Sequence, residues 1–126
     1  MNIPSIINEH TTIFVHIMTL HWIGDFILQS RKMADNKSSS IKWLSIHVLT
    51  YTATLLIGML FFTENFLEFA LINGILHWVT DFFTSKESKI AYQSGDIHGF
   101  FMIIGFDQLI HNTCLYISYL ILVMWG

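Results

Sequence analysis

Apolar residues run through this chain in four long stretches that are separated by short polar segments. Each stretch is close to the roughly 20 residues that an α-helix needs to cross the hydrocarbon core of a bilayer. We therefore predict an all-α fold, an integral membrane four-helix bundle that forms a single domain over residues 1–126. The predicted spans cover about residues 11–29, 43–62, 66–83 and 100–125.

The first and third spans contain nearly the same short sequence. HWIGDF at residues 21–26 recurs 56 residues later as HWVTDF at residues 77–82. Because residues four apart lie on one face of a helix, each copy directs an imidazole and a carboxylate towards the same region. Each copy is followed by a second helix, so the pattern predicts two repeated helical hairpins in the same orientation.

The distribution of charge predicts an orientation in the membrane. All six Lys and Arg residues lie between the first and second spans or between the third and fourth. By the positive-inside rule these segments face the cytoplasm, and both termini lie on the outer side. No basic residue precedes Arg31, so we expect no cleavable signal peptide. Charged residues make up 12% of the chain, against about 25% in soluble domains, and no basic tract indicates a nucleic-acid partner.

Seven ionisable residues interrupt the apolar spans. Each costs roughly 2.5–3.5 kcal/mol at the centre of a membrane, so we expect them to converge on the interior of the bundle. Asp25 lies six residues before Arg31, and Asp81 lies five residues before Lys86. At about 1.5 Å per residue, both carboxylates lie roughly 8–9 Å below the same boundary. The full set is His21, Asp25, His47, His77, Asp81, Asp107 and His111.

These seven residues are predicted metal ligands. Histidine with aspartate is an ordinary ligand set for zinc, manganese or iron, whereas three clustered carboxylates without a cation repel one another. The set is sufficient for one divalent ion, or for two that share a bridging carboxylate. A catalytic role is predicted for Asp25, Asp81 and His98, the last of which lies in the polar segment above the site. The side chains expected to orient the imidazoles are Gln29, Thr50, Tyr51, Asn73 and Gln108.

Two other interpretations of the intramembrane residues remain open. Pairs of His and Asp can hold helices together by hydrogen bonding within lipid. Four-helix membrane bundles also bind haem through two axial histidines, although haem would not need an aspartate one turn away.

The motifs HxxxDF and DQxxH resemble those of a family of small bacterial and phage membrane proteins that is catalogued as a domain of unknown function. This resemblance implies a multi-pass protein of the bacterial inner membrane. More distantly, the pattern is similar to membrane-bound metal-dependent hydrolases, although the chain lacks the HExxH motif of zinc proteases. The residues that carry the resemblance are His21, Asp25, Phe26, Gln29, His47, His77, Asp81, Asp107, Gln108 and His111.

The leading hypothesis is a metal-dependent hydrolase that acts at the cytoplasmic leaflet on a lipid or another small amphiphile, such as a phosphorylated lipid. The alternative is a small metal-ion or proton transporter or channel, which could act as a homodimer. Apolar sequence at 55–60 and 69–72, towards the outer side, favours a pocket over a conduit. A third hypothesis is a non-enzymatic membrane protein with a structural metal.

Overall fold

The computed structural model describes residues 2–126, which are mostly helical and include no strand. The chain therefore has the predicted all-α fold. Two of its α-helices run directly into π-helical segments, α1 into Ile23–Ile27 and α5 into Tyr119–Met124. The α-helices are α1 (Ile3–Trp22), α2 (Arg31–Asn36), α3 (Ile41–Met59), α4 (Phe66–Gln93) and α5 (Ile97–Ser118).

Local hydrogen bonds determine where α3 and α5 begin. The Ser40 hydroxyl accepts a hydrogen bond from the backbone N–H of Trp43 at 3.4 Å. The Asp96 carboxylate accepts one from the backbone N–H of Gly99 at 2.9 Å. Gly95 has a φ of +81°, a left-handed conformation that favours glycine and reverses the chain between α4 and α5.

The four long helices pack around a shared interior, and consecutive long helices run antiparallel. α4 packs against α3 on one side and α5 on the other, while α1 packs against α3 and more loosely against α5. Gly74 lets α4 approach α3 closely, because a Cβ there would lie 2.2 Å from Oγ1 of Thr52. An apolar core fills the half of the interior farther from α2, and its buried members are Ile17, Leu20, Tyr51, Leu55, Met59, Phe69, Ala70, Leu115 and Tyr119.

Within residues 2–126, three helical segments are long and apolar enough to cross a membrane by length and composition. They are Ile41–Met59, Phe66–Gln93 and Ile97–Met124. The first predicted span is not among them. Its helix begins at Ile3, eight residues earlier than the predicted span, and the span itself contains His16, His21 and Asp25, which lower its mean hydropathy.

The predicted polar connection between the third and fourth spans is mostly helical. α4 continues to Gln93, and only residues 94–96 link it to α5. His98 therefore lies in the first turn of α5 and not in a loop, which corrects the expectation from the sequence. The helix can continue because residues 84–93 contain no proline or glycine to end it.

Candidate metal centre

Six of the seven predicted ligands are almost completely buried where the four long helices meet. Their exposed fractions lie between 0% and 4%. The seventh, Asp107, is half-buried. The buried six are His21 at the end of α1, Asp25 in the π-helical turn, His47 on α3, His77 and Asp81 on α4, and His111 on α5.

Asp25, His47, His77 and Asp81 form a central group. Nε2 of His47 lies 3.1 Å from Oδ1 of Asp25 and 3.1 Å from Nε2 of His77. Nε2 of His77 lies 3.3 Å from Oδ1 of Asp25, and both imidazole nitrogens lie 3.4 Å from Oδ2 of Asp81. Zinc bonds of about 2.0–2.1 Å place tetrahedral ligand atoms about 3.3–3.4 Å apart. Five pairs of ligand atoms are therefore close to the spacing of a tetrahedral metal site.

Two neighbouring groups share residues with the central group. His21, Asp25 and His111 form one, and Asp81, Asp107 and His111 form the other. In each group the ligand atoms lie within 4.8 Å of one another. Because a carboxylate has two oxygens and can bridge two ions, a second ion could lie beside one in the central group.

His111 lies against carboxylates without hydrogen bonding to them. Its Nδ1 is 3.2 Å from Oδ2 of Asp107, and its Nε2 is 3.7 Å from Oδ1 of Asp81. Neither ring nitrogen has a hydrogen-bond partner among residues 2–126. Asp107 is held separately, since its Oδ1 accepts a hydrogen bond from the Thr84 hydroxyl at 2.5 Å. His111 thus has a ring nitrogen available to bind a cation.

Tyr51 and Gln108 fix the orientation of the His21 ring. Oε1 of Gln108 lies 2.7 Å from Nε2 of His21, so Nε2 carries the proton and donates it to the amide oxygen. Nδ1 of His21 then accepts a hydrogen bond from the Tyr51 hydroxyl at 3.0 Å. Nε2 of Gln108 also donates to Oδ2 of Asp25 at 3.0 Å, which connects the first helix to α5.

Other side chains that were expected to orient the imidazoles do not contact them. Asn73 donates to the Ser118 hydroxyl at 2.8 Å, because it lies one turn farther into the apolar half than His77. The Thr50 hydroxyl donates to the backbone carbonyl of Ile46 at 3.0 Å.

The π-helical turn at Ile23–Ile27 positions Asp25. Its backbone hydrogen bonds span five residues, which inserts one extra residue into the turn. Gly24 lies against α3, where a Cβ would come within 3.1 Å of a ring carbon of Tyr51. The missing side chain lets the turn approach α3 and brings Asp25 next to His47.

Lys37 belongs to the site but was not predicted from the sequence. Its Nζ donates to Oδ2 of Asp81 at 2.8 Å, and its side chain is only 18% exposed. Burial lowers the pKa of Lys37, but the negative charges of Asp81, Asp25 and Asp107 outweigh it and raise the pKa above its usual value. Lys37 is therefore protonated at neutral pH. In the sequence, nothing separates it from the three other basic residues of its segment.

A cavity of about 200 Å³ adjoins the carboxylates of all three predicted aspartate ligands. The buried Oγ of Ser85 and Oε1 of Gln29 belong to residues that line it, and neither atom has a hydrogen-bond partner within the described chain. His98 does not line this cavity and is exposed to solvent. The structure thus brings the seven predicted ligands together and leaves His98 outside.

The chemistry of these residues fits a divalent cation. With neutral imidazoles, the three carboxylates and the Lys37 ammonium leave two negative charges in a largely buried space. Nδ1 of His47 and Nδ1 of His77 have no hydrogen-bond partner among residues 2–126, and both Nε2 atoms point into the central group. A divalent ion between them would balance the charge and bind the converging nitrogens.

The fold and the site define an all-helical protein with long apolar helices and buried His and Asp clusters that could hold a metal ion. The chain belongs to the family described as "Protein of unknown function (DUF3307)", which it matches over residues 13–125. This match confirms the predicted membership of an uncharacterised family. No curated protein and no solved structure matches the chain.

Proposed function

We propose that this chain is a membrane-embedded, metal-dependent hydrolase that acts at the cytoplasmic leaflet on a lipid or a phosphorylated amphiphile. The observation that carries the proposal is the central group, in which five pairs of ligand atoms lie 3.1–3.4 Å apart. The adjoining cavity supports it, because a small polar group could reach the carboxylates there. The resident cofactor would be one or two ions of zinc, manganese or iron.

The proposal places the four long helices in the bacterial inner membrane, as an integral four-helix bundle made of two repeated hairpins. Outward-facing side chains support this placement: Leu49, Ile57 and Ile75 are 68%, 71% and 65% exposed, a surface better suited to lipid than to water. The basic residues lie in or just after α2, at the start of α3 and in the last part of α4. That end would face the cytoplasm, with both termini on the outer side.

A bound divalent ion would polarise a substrate oxygen and lower the pKa of a water molecule to near neutrality. The side chains of the protein would bind the cation and accept a proton. His47 and His77 would hold the cation through Nε2, and Asp25 and Asp81 would supply the negative charge that retains it. Both carboxylates line the cavity, so an oxygen not engaged by the cation could accept a proton there. His98 has no part in this proposal, because it lies outside the cavity.

A transporter or channel would need polar groups that continue to the opposite end of the helices. There the interior is occupied by apolar residues that include Leu55, Met59 and Phe69. The two histidines of that half are already engaged: His16 Nε2 lies 2.8 Å from the Gly58 carbonyl, and His10 contacts Tyr119. A pocket open at one end agrees better with this arrangement than a conduit does.

Elemental analysis of the protein purified in detergent tests the proposal directly. We expect one or two zinc, manganese or iron ions per chain, and less than half of that content in Asp81→Asn. Glu68→Gln is the matched control, because Glu68 is exposed and lies far along α4 from the site.

Mixed micelles of phosphatidic acid then report phosphate release, and micelles of a diacylglycerol report fatty-acid release, before and after metal removal.

A folded wild-type protein that takes up none of these ions, even after reconstitution, would refute the proposed function. Hydrolysis that survives complete removal of metal would refute the metal-dependent mechanism.

A further inference from the structure

The cavity beside the carboxylates has two kinds of wall. Lys37 and Ser85 lie on its polar side, close to the aspartates. Phe26, Phe100 and Ile103 lie on its apolar side, contributed by the π-helical turn and by α5. A ligand that fills this space therefore needs a polar head group joined to a hydrocarbon portion.

The polar side contains groups that the protein itself does not satisfy. Ser85 is 8% exposed, and its hydroxyl has no hydrogen-bond partner within residues 2–126. A buried polar atom without a partner costs about 1–3 kcal/mol, so a ligand that supplies the partner recovers that energy. The buried amide oxygen of Gln29 is also unpartnered, and a half-turn of the amide would present its NH2 group instead.

Lys37 adds a positive charge to the same wall. Its ammonium has three N–H donors and uses one of them on Asp81, so two remain for a second partner. A neutral carboxylic ester would gain little binding affinity from a partly buried ammonium. An anionic phosphoryl group would gain a charge-assisted hydrogen bond.

We propose that Lys37 and Ser85, with Gln29 beside them, form an anion subsite that binds the phosphoryl oxygens of an amphiphilic phosphate ester. This inference rests on the proposed function, because the three aspartates would repel an anion unless a divalent cation lies between them. The apolar wall would receive the first part of the hydrocarbon chain. The substrate class is therefore a phosphorylated lipid, and acyl esters are excluded.

In hydrolysis of such an ester, the oxygen of water forms a new bond to phosphorus while the bond from phosphorus to the alcohol oxygen breaks. A proton from the water ends on the alcohol, and no oxidant or reductant is needed. Lys37 and Ser85 would stabilise charge on the non-bridging oxygens throughout this displacement. A second cavity of about 410 Å³ shares Lys37 and Ser85 with the first and is also lined by Lys89, whose positive charge would attract the released phosphate.

Binding of inorganic phosphate to the zinc-loaded full chain in detergent tests the subsite. Isothermal titration calorimetry would measure the affinity, and elemental analysis would check the zinc content of every sample first. We expect Ser85→Ala to weaken phosphate binding about tenfold and Lys37→Met to weaken it at least tenfold, with zinc retained. Ser85→Ala breaks no hydrogen bond made by the Ser85 side chain, so its fold should be intact. Ser39→Ala and Lys32→Met are matched controls on exposed residues and should bind phosphate like the wild type.

The outcomes separate this inference from the proposed function. Zinc-loaded wild-type protein that binds no phosphate would overturn the phosphoryl class but leave a metal-dependent hydrolase of acyl esters. Equal phosphate binding by the wild type, Ser85→Ala and Lys37→Met would overturn the subsite, because the metal alone would then hold the anion. Failure of folded wild-type protein to take up metal would overturn both proposals before phosphate is added.

Discussion

Replacing Asp25 with asparagine is the most informative single change, because Asp25 belongs to two of the three groups that could hold metal and, unlike Asp81, is not paired with Lys37. Asparagine has almost the same shape and keeps one oxygen that can accept the hydrogen bond from Gln108. It removes the negative charge that faces His47 and His77. The substitution therefore tests the charge required by a cation while it disturbs the packing little.

The expected magnitude follows from linkage between metal binding and folding. A free ion at 100 times its Kd stabilises the folded protein by about 2.7 kcal/mol. If loss of the Asp25 charge raises Kd about 100-fold, the same concentration of free ion stabilises the folded protein by only about 0.4 kcal/mol. The difference is about 2.3 kcal/mol, which corresponds to about 9 °C in Tm for a chain of this length.

Thermal unfolding in detergent, followed by tryptophan fluorescence, measures this effect. The quantity compared between variants is the increase in Tm when zinc is added to chelator-treated protein. A change in the Tm of the metal-free protein therefore does not affect the comparison. Asp25→Asn should lose most of the gain, whereas Glu68→Gln, an exposed site on α4, should keep it. An Asp25→Asn protein with the full wild-type increase in Tm would show that the ion is bound elsewhere and that the Asp25 carboxylate is not one of its ligands.

Two further substitutions test the support of the site and the packing of the helices. Tyr51→Phe removes the hydroxyl that donates to Nδ1 of His21 and leaves that buried nitrogen without a partner, so it should lower the stability of the metal-free protein by about 1–3 kcal/mol in thermal unfolding; unchanged stability would mean that this hydrogen bond does not hold the ring. Gly74→Ala should lower stability by about 1–3 kcal/mol in thermal unfolding, because its Cβ would lie 2.2 Å from Thr52 Oγ1. Gly105→Ala is the control, with no atom within 4 Å of a Cβ, and should be neutral or stabilising; equal effects at the two glycines would contradict the close approach of α3 and α4.

The helices and the repeated His–Asp pairs could be predicted because both depend on spacing along one segment. Apolar stretches of nearly constant length predict helices, and a separation of four residues places two side chains on one face. His21 with Asp25 and His77 with Asp81 follow from this rule alone, and the structure places both pairs at the same centre. His47 could be added from its depth, since it lies five residues after Lys42.

Contacts between distant segments were not predictable in the same way. Lys37 reaches Asp81 only because α2 packs against α3 and the residue after α2 turns towards the middle of α4, and no pattern in the sequence encodes that path. Asn73 was expected beside the imidazoles but bonds to Ser118, because α5 presents a hydroxyl at that level. Such pairings depend on the relative rotation and height of two helices, which hydropathy does not determine.

The π-helical turn at Ile23–Ile27 explains why the two copies of the repeated sequence differ in structure. The copy on α4 stays α-helical through Asp81, whereas the copy on the first helix changes register at the residue after Trp22. The first copy has Gly24 where the second has Thr80, and the glycine lets that turn approach α3. The two copies thus have the same spacing in the sequence but different backbone conformations, and each presents one histidine and one aspartate to the site.

The three groups share ligands, and this sharing determines how much metal the site should lose when one aspartate is substituted. Asp25 and Asp81 both belong to the central group, and each also belongs to one neighbouring group. If each group holds an ion, loss of either carboxylate would weaken two ion positions at once, whereas loss of Asp107 would affect only one. Two ions that shared a carboxylate would be coupled electrostatically and geometrically, so the two positions would not fill and empty independently. A shared centre predicts that a variant without Asp107 keeps part of its metal, whereas a variant with Asp25 substituted loses nearly all of it. Separate surface sites would not give this pattern.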